Sequence, residues 1–292
     1  MPLTDTATVN ATNIIPEIWG MKTIDTREAY LVMPNLMDRD YESELNSRYG
    51  GAGDSVRVFG VDNFGAANTK TIATDATLLT TEGVFNAALN ILVDRHAYMM
   101  FELDYVFELQ THIRMFEKLA SKAGYAVALA VDDTCAGLID DFSQTVGALG
   151  TPLSDENVRD AVRQLNEAFA PEENRYLLCS PNQQLEFYNI DKYVNTLYKE
   201  ALGQSLDTRK FKGYFGSLYN MDWYMSQNVE GSTALGFDNG MWHREALALI
   251  IQDDMRSAVE YNILQDSTRF VVHAVYGTLE MRDNHGVFMR GA

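Results

Sequence analysis

Asp104-Tyr-Val-Phe-Glu-Leu-Gln-Thr-His-Ile-Arg-Met-Phe-Glu-Lys-Leu-Ala-Ser-Lys-Ala-Gly-Tyr-Ala-Val-Ala-Leu-Ala-Val-Asp-Asp-Thr-Cys-Ala-Gly-Leu-Ile-Asp-Asp-Phe142 decides how the rest of the chain is read. Its apolar positions are Tyr105, Leu109, Ile113, Phe116, Ala120, Ala123, Val127, Val131, Cys135, Leu138 and Phe142, each three or four residues after the last. That period marks one face of a helix. The stretch holds no proline, and only Gly124 and Gly137 weaken it. Gln110, Glu117, Lys118, Lys122, Asp133 and Asp140 occupy the other face, so one side alone is committed to a core. Unbroken, such a helix runs about 57 Å at 1.5 Å per residue. That exceeds the breadth of an ordinary compact domain, so the helix reads as a spine from which other elements hang.

On its N-terminal side the chain opens with residues 1–13, rich in Thr, Asn and Ala, which read as a flexible arm. Ile14-Ile-Pro-Glu-Ile-Trp19 follows, then a helical pattern from Thr23 through Met37, and a break at Gly50-Gly-Ala-Gly53. Asp54-Ser-Val-Arg-Val-Phe59 alternates as a strand, residues 60–83 carry turn chemistry, and residues 84–103 return to a β-like pattern. The simplest geometry is a two-stranded excursion, out and back, ending at the spine. An isolated ribbon of this kind is marginal in water, so it must lie on something, and a neighbouring copy is the natural support.

Beyond the spine, Gly147, Gly150 and Pro152 mark a loop, and Ser154-Asp-Glu-Asn157 caps a helix. The pattern gives that helix a buried face of Val158, Val162, Leu165 and Phe169, ended by Pro171. Arg175-Tyr-Leu-Leu-Cys-Ser180 reads as a buried strand, Pro181 as the start of a turn, and Asp191–Leu202 as a helix capped by Gly203. Leu218–Asn228 is β-like, Asp238-Asn-Gly240 reads as a turn, and Glu245–Met255 as a helix. Arg269–Met281 is one long β-branched and aromatic strand.

The chain has 292 residues, 46% hydrophobic and 22% charged, enough for one large or two ordinary domains. A net charge of -18 argues against a high-affinity nucleic-acid binder and against anionic membranes. No apolar run reaches the length of a transmembrane helix, and Met1-Pro-Leu-Thr-Asp5 has no signal-peptide pattern, so we expect a cytoplasmic product. Cys135 and Cys179 lie in apolar contexts with no CxxC or Cys/His cluster, and read as buried reduced thiols.

Little in the sequence points to chemistry. His96, His112, His243, His273 and His285 show no i, i+4 metal spacing and no HExxH arrangement. Asp133 and Asp140 share a helix face, but no Glu-x-x-His accompanies them, so Asp132-Asp133 and Asp140-Asp141 read as a solvated acidic face. Ser180 has no GxSxG elbow, there is no GxxxxGK[ST] loop, and Gly213-Tyr-Phe-Gly216 is too short for a dinucleotide fingerprint. Arg209-Lys-Phe-Lys-Gly213 is the one basic cluster, fit for a phosphate, an acidic partner or a neighbouring subunit, or simply solvated. Tyr214, Phe215, Tyr219, Trp223 and Tyr224 read as core. No catalytic, metal or cofactor site is expected.

The order of parts is informative. Gly53-Asp-Ser-Val-Arg-Val58 opens the excursion, and Tyr98-Met-Met-Phe-Glu-Leu-Asp104 closes it into a spine with Gln110 in its first turns. Arg175-Tyr-Leu-Leu-Cys-Ser-Pro181, Gly216-Ser-Leu-Tyr-Asn-Met-Asp-Trp-Tyr-Met-Ser226 and a long strand with Tyr276-Gly277 and Met281-Arg282 follow. This order, with Ile15-Pro-Glu-Ile-Trp19 near the start, resembles the major capsid proteins of tailed double-stranded DNA bacteriophages, the Hong Kong 97-type fold. The resemblance implies an α+β fold with an N-terminal arm at 1–50, an extended β loop at 51–97, and a peripheral domain with the spine at 98–145. An axial domain at 146–265 and a C-terminal strand at 266–292 returning to the peripheral domain complete it.

It implies a non-enzymatic shell subunit in the virion capsid, assembled in the host cytoplasm. Its partners would be copies of itself in pentamers and hexamers, a separate scaffolding protein, a portal and possible decoration proteins. Lys70 lies in the extended loop, but no motif identifies an Asn partner, so no crosslink is expected. DNA would be enclosed without specific binding, since an acidic shell repels phosphate. The alternatives are an encapsulin-like compartment with the same fold and, from another class, an acidic metalloenzyme using the spine carboxylates. Stoichiometric iron or manganese would favour the last.

Overall fold

The spine is present as a helix in the computed structural model, which describes residues 31–43, 54–61, 86–106, 115–194, 213–232 and 236–291. In chain order the first elements are α1 (Met33–Leu36), β1 (Ser55–Val61), β2 (Asn86–Leu92), β3 (Arg95–Asp104), α2 (Met115–Ala136) and β4 (Thr145–Gly147). Next come α3 (Asp155–Glu167), β5 (Arg175–Cys179), α4 (Pro181–Tyr188), α5 (Asp191–Val194), β6 (Tyr214–Leu218) and β7 (Met221–Met225). The last are β8 (Gly231–Ser232), β9 (Gly236–His243), β10 (Leu247–Asn262), β11 (Ser267–Glu280) and β12 (Gly286–Gly291). The strands form a two-stranded ribbon β1-β2, a three-stranded sheet β10-β11-β3, and a seven-stranded sheet ordered β4-β12-β9-β5-β7-β6 with β8 beside β9.

The described spine, α2, holds 22 residues, about 33 Å of helix. It gives way to a 3-10 turn at Gly137–Ile139, earlier than the expected end at Phe142. Asp140 and Asp141 follow at the negative end of the helix dipole, where carboxylates oppose further turns. Of the expected N-terminal part, Asp104 ends β3, Tyr105 and Val106 are helical, and residues 107–114 lie outside the described residues.

The spine serves two cores. Its first turns lay Phe116, Ala120, Ala123 and Val127 on Phe101, Phe270, Val272 and Ala274 of the three-stranded sheet. The rings of Phe101, Phe116 and Phe270 stand 5.2–5.8 Å apart, close enough to add about 0.5–1.5 kcal/mol per pair beyond area burial. Its last turns bury Val131 and Cys135, joined by Ile139 and Phe142, against Leu178, Tyr224, Trp242 and Phe288 of the seven-stranded sheet. The opposite face of that sheet carries Leu177, Trp223, Met241, Val287 and Met289, covered by Val158, Ala161 and Leu165 of α3 and Phe187 of α4. Both faces of β5 are therefore buried, which is why its sequence is continuously apolar instead of alternating.

Several expected elements differ. Glu245–Met255 is not a helix: Arg244–Ala246 is a 3-10 turn and Leu247–Asn262 is the strand β10. Leu247 and Leu249 enter the main core while Ala248 and Ile250 face the base of the ribbon. A strand buried on both sides writes the same short apolar run as a buried helix. Asp238-Asn-Gly240 is strand rather than turn, paired with Phe288–Arg290 of β12. Pro181 starts helix α4, with Ser180 as N-cap accepting from Gln183 N at 3.2 Å. Phe169 is 91% exposed instead of buried. The segment 266–292 is two strands in two sheets: β11 pairs with β10 and β3, whereas β12 pairs with β9 and β4. The expected helices at Thr23–Met37 and Asp191–Leu202 are described only at Met33–Leu36 and Asp191–Val194.

Candidate assembly surface

Among the described residues, the ribbon is anchored at its base. Ser55 to Val61 pair antiparallel with Leu92 to Asn86. Val56 and Ile91 are buried against Ala248 and Ile250 of β10, while Arg57, Ala88, Leu89 and Asn90 are exposed. Gly277 in β11 lets the ribbon sit this close: a Cβ there would collide with the Leu92 carbonyl oxygen. Val93 N donates to Asp54 O at 2.8 Å and closes the base.

The three-stranded sheet has the spine on one face. Its other face presents Tyr98 and Met100 of β3, both more than half exposed, beside His96 and His273, whose rings lie 5.5 Å apart. At the end of the β10–β11 hairpin, Ile263 is 82% and Leu264 95% exposed. This tip is not loose. Leu264 N donates to Asn262 Oδ1 at 3.1 Å, Asn262 Nδ2 donates to Gln265 Oε1 at 2.8 Å, and Arg269 reaches the same oxygen at 2.8 Å. A fixed tip that displays two aliphatic side chains leaves apolar surface for something else to cover.

The chain before the ribbon is latched to the spine by Asp132. Val32 N and Met33 N each donate to its Oδ1 at 2.9 Å, and Asn228 Nδ2 donates to Oδ2 at 2.6 Å. The carboxylate is fully buried, and burial pushes its pKa up while these bonds hold it down. Asp132 is therefore no part of a solvated acidic face, a correction to the sequence reading; Asp133, Asp140 and Asp141 are exposed. The signal was present in the sequence: Asp132 falls one position after Val131, on the buried flank of the helix. Among the described residues no three His, Cys, Asp or Glu side chains gather as a metal site.

His243 and His285 are buried with rings 6.1 Å apart, and burial pushes both imidazoles down. His96 is exposed, His273 half-buried, and His112 lies outside the described residues. Cys135 and Cys179 are free and buried, and burial pushes both thiols up, away from reactivity. Ser180 is buried; besides capping α4, its backbone N donates to Asn239 Oδ1 at 2.7 Å. Trp223 and Tyr224 are core, as expected, and Tyr214, Phe215 and Tyr219 are half-buried. Lys70 and the Arg209–Lys212 cluster lie outside the described residues. No described helix is long and apolar enough to cross a membrane. These residues make a framework and several uncovered surfaces rather than a pocket with converging reactive groups.

No protein-family model matches the chain. No curated protein matches it either. Solved structures do. A structure from Mycobacterium phage Che8 superposes with TM-score 0.76 at 20% identity, covering 95% of this chain and 97% of that one. The capsid structure of cyanophage P-SCSP1u gives TM-score 0.72 at 13% identity, covering 96% and 94%. The mature capsid of bacteriophage PhiM1 gives 0.66 at 14%, covering 95% and 92%. The chain has, over nearly its whole length, the α+β fold of these phage capsid structures.

Proposed function

We propose that this chain is the major capsid protein of a tailed double-stranded DNA phage, a non-enzymatic subunit that assembles with copies of itself into an icosahedral shell. The observation that carries this reading is the ribbon β1-β2, whose described residues are held to their own subunit at its base, in a chain whose fold matches capsid structures over nearly its whole length. Two strands alone do not bury enough to be stable in water. A neighbouring subunit supplies what is missing, and contacts repeated by rotation close into rings and shells. The exposed hairpin tip and the face bearing Tyr98 and Met100 fit the same account.

In this reading residues 1–50 are the N-terminal arm and 51–97 the extended loop. Residues 98–145 with β11 and its sheet partner β10 form a peripheral domain, and the rest of 146–265 with β12 an axial domain around the five-fold and six-fold axes. A scaffolding protein, a portal and decoration proteins are the expected further partners, with assembly in the host cytoplasm and final residence in the virion. Electron microscopy of the purified protein, with and without a scaffolding protein, tests it. Closed particles or capsomer rings are expected; monodisperse monomers under both conditions refute the reading.

A further inference from the structure

Helix α3 ends in a Schellman motif. Ala170 N donates to Leu165 O at 3.0 Å and Phe169 N to Asn166 O at 3.1 Å. Leu165 and Ala170 make the buried contact that accompanies this motif. The residue between them, at φ 57°, occupies the left-handed position where glycine is the usual solution. Here it is Phe169, 91% exposed. Folding gains nothing from this choice, since the ring is not buried and the backbone would prefer no Cβ.

The loop that carries the ring is clamped from below. Arg175 donates to Pro171 O at 2.7 Å and Ala170 O at 2.6 Å, and Arg244 N donates to Asn174 O at 3.1 Å. A strained, exposed aromatic on a rigid frame is a preorganised contact residue. Glu172 and Glu173 follow it in the same loop, both exposed, while Glu167 pairs with Arg163 at 2.8 Å.

We infer that the loop Ala168–Asn174 is a contact surface for a second copy of this chain, and that the copy's segment Arg209-Lys-Phe-Lys212 is what covers it. This rests on the shell reading above. The chain has 23 basic and 41 acidic residues, so copies repel over most of their surface. Only this segment places three cations in four positions. Its cations match both the exposed ring face, through cation–π attraction, and the carboxylates of Glu172 and Glu173.

Strand geometry puts the loop at one end of β5 and the re-entry of the chain at Gly213 at the other. Arg175, next to the loop, is in register with Met221, and Cys179 with Met225. Gly213, the residue that follows the basic segment in sequence, accepts at its carbonyl from Met225 N at 2.8 Å. Unlike ends meeting between rotated copies make a heterologous contact, which is the kind that closes rings.

The test uses the full chain, with assembly followed by sedimentation velocity and negative-stain microscopy and subunit stability by thermal unfolding. Phe169→Gly should raise the unfolding midpoint and raise the concentration needed for assembly at least tenfold. A role in folding alone would not move the two in opposite senses. Charge reversal at Arg209, Lys210 and Lys212 to Glu should weaken assembly similarly. Adding Glu172→Lys and Glu173→Lys to that variant should recover it.

Unchanged assembly by Phe169→Gly overturns the inference. Weakened assembly without recovery by the paired reversal overturns the assignment of the basic segment as occupant. If the reversed chain fails to fold, the single variant Phe169→Gly still decides. A wild-type chain that forms no particles defeats the shell reading itself, a different failure from a wild type that assembles beside an indifferent Phe169→Gly.

Discussion

Asp132→Ala isolates the joint between the N-terminal segment and the spine. The substitution leaves three donors without a partner: Val32 N, Met33 N and Asn228 Nδ2. Val32 and Met33 are both fully buried, so water does not replace the lost acceptor at their amides. Each orphaned buried donor costs about 1–3 kcal/mol, and bonds to a charged acceptor sit in the upper half of that range. Removal of a desolvated carboxylate offsets part of the loss. The net expectation is about 3–5 kcal/mol.

Asp132→Asn keeps one oxygen for the two amides but faces Asn228 with a second amide, which must rotate to accept. A loss of about 1–2 kcal/mol is expected there. Urea unfolding of the dissociated subunit reads both values through tryptophan fluorescence, because Trp242 belongs to the core that Val32, Met33 and Val131 share. A midpoint change for Asp132→Ala equivalent to less than about 1 kcal/mol would refute the reasoning, since an intact latch cannot be that dispensable. An Asn variant worse than Ala would refute it as well.

Gly277→Ala should free the ribbon without unfolding the sheets, because the new Cβ meets the Leu92 carbonyl while β10-β11-β3 pairing stays intact. Proteolysis within residues 54–92 should accelerate several-fold with little change in the unfolding midpoint; equal digestion rates would count against a base held by that close approach. His243 and His285 carry lowered pKa values, caused first by burial and then by charges including Arg282, with Glu245 opposing. Their folded pKa lies below the unfolded value near 6.5. The unfolded chain therefore binds protons first, and stability present above that value is lost as pH falls through it. His285→Gln should flatten this acid limb in a series of unfolding curves from pH 7.5 to 5; a slope unchanged from wild type would remove the buried pair as its cause.

Much of this architecture was legible because its periods are simple. Val127, Val131 and Cys135 recur at helical spacing, and the buried strand Arg175–Cys179 stands between breakers. Where reading failed, two structures share one pattern. Leu247–Ile250 is apolar at every position because both of its faces are covered, so neither a period of two nor one of 3.6 is visible. Asp238-Asn-Gly240 carries turn residues inside a strand because Asn239 is spent on Ser180 N and because Gly240 packs beneath Ile139. Phe169 matched the helical period but fell two residues beyond the last helical residue, Glu167, where the backbone reverses and the side chain points to solvent. The position of Asp132 beside Val131 was legible, but its role as a latch was hidden for a different reason. Its partners are backbone amides about a hundred residues away, and no side-chain pattern records a backbone donor.

The distribution of exposed apolar groups argues for association through many modest contacts rather than one strong one. Leu89, Tyr98, Met100, Phe169, Ile263 and Leu264 sit on separate elements: ribbon, outer face, helix end and hairpin tip. A single face of this composition would favour a closed dimer, whose one large interface satisfies itself and stops growth. In the proposed shell, the same groups, spread around the subunit, leave each contact weak and reversible, so misplaced copies can leave before they are trapped. The charge of -18 works in the same direction, since general repulsion penalises any encounter that does not bring complementary patches together. It follows that raising salt should widen the range of contacts that persist, so irregular aggregates should increase relative to closed particles as ionic strength climbs.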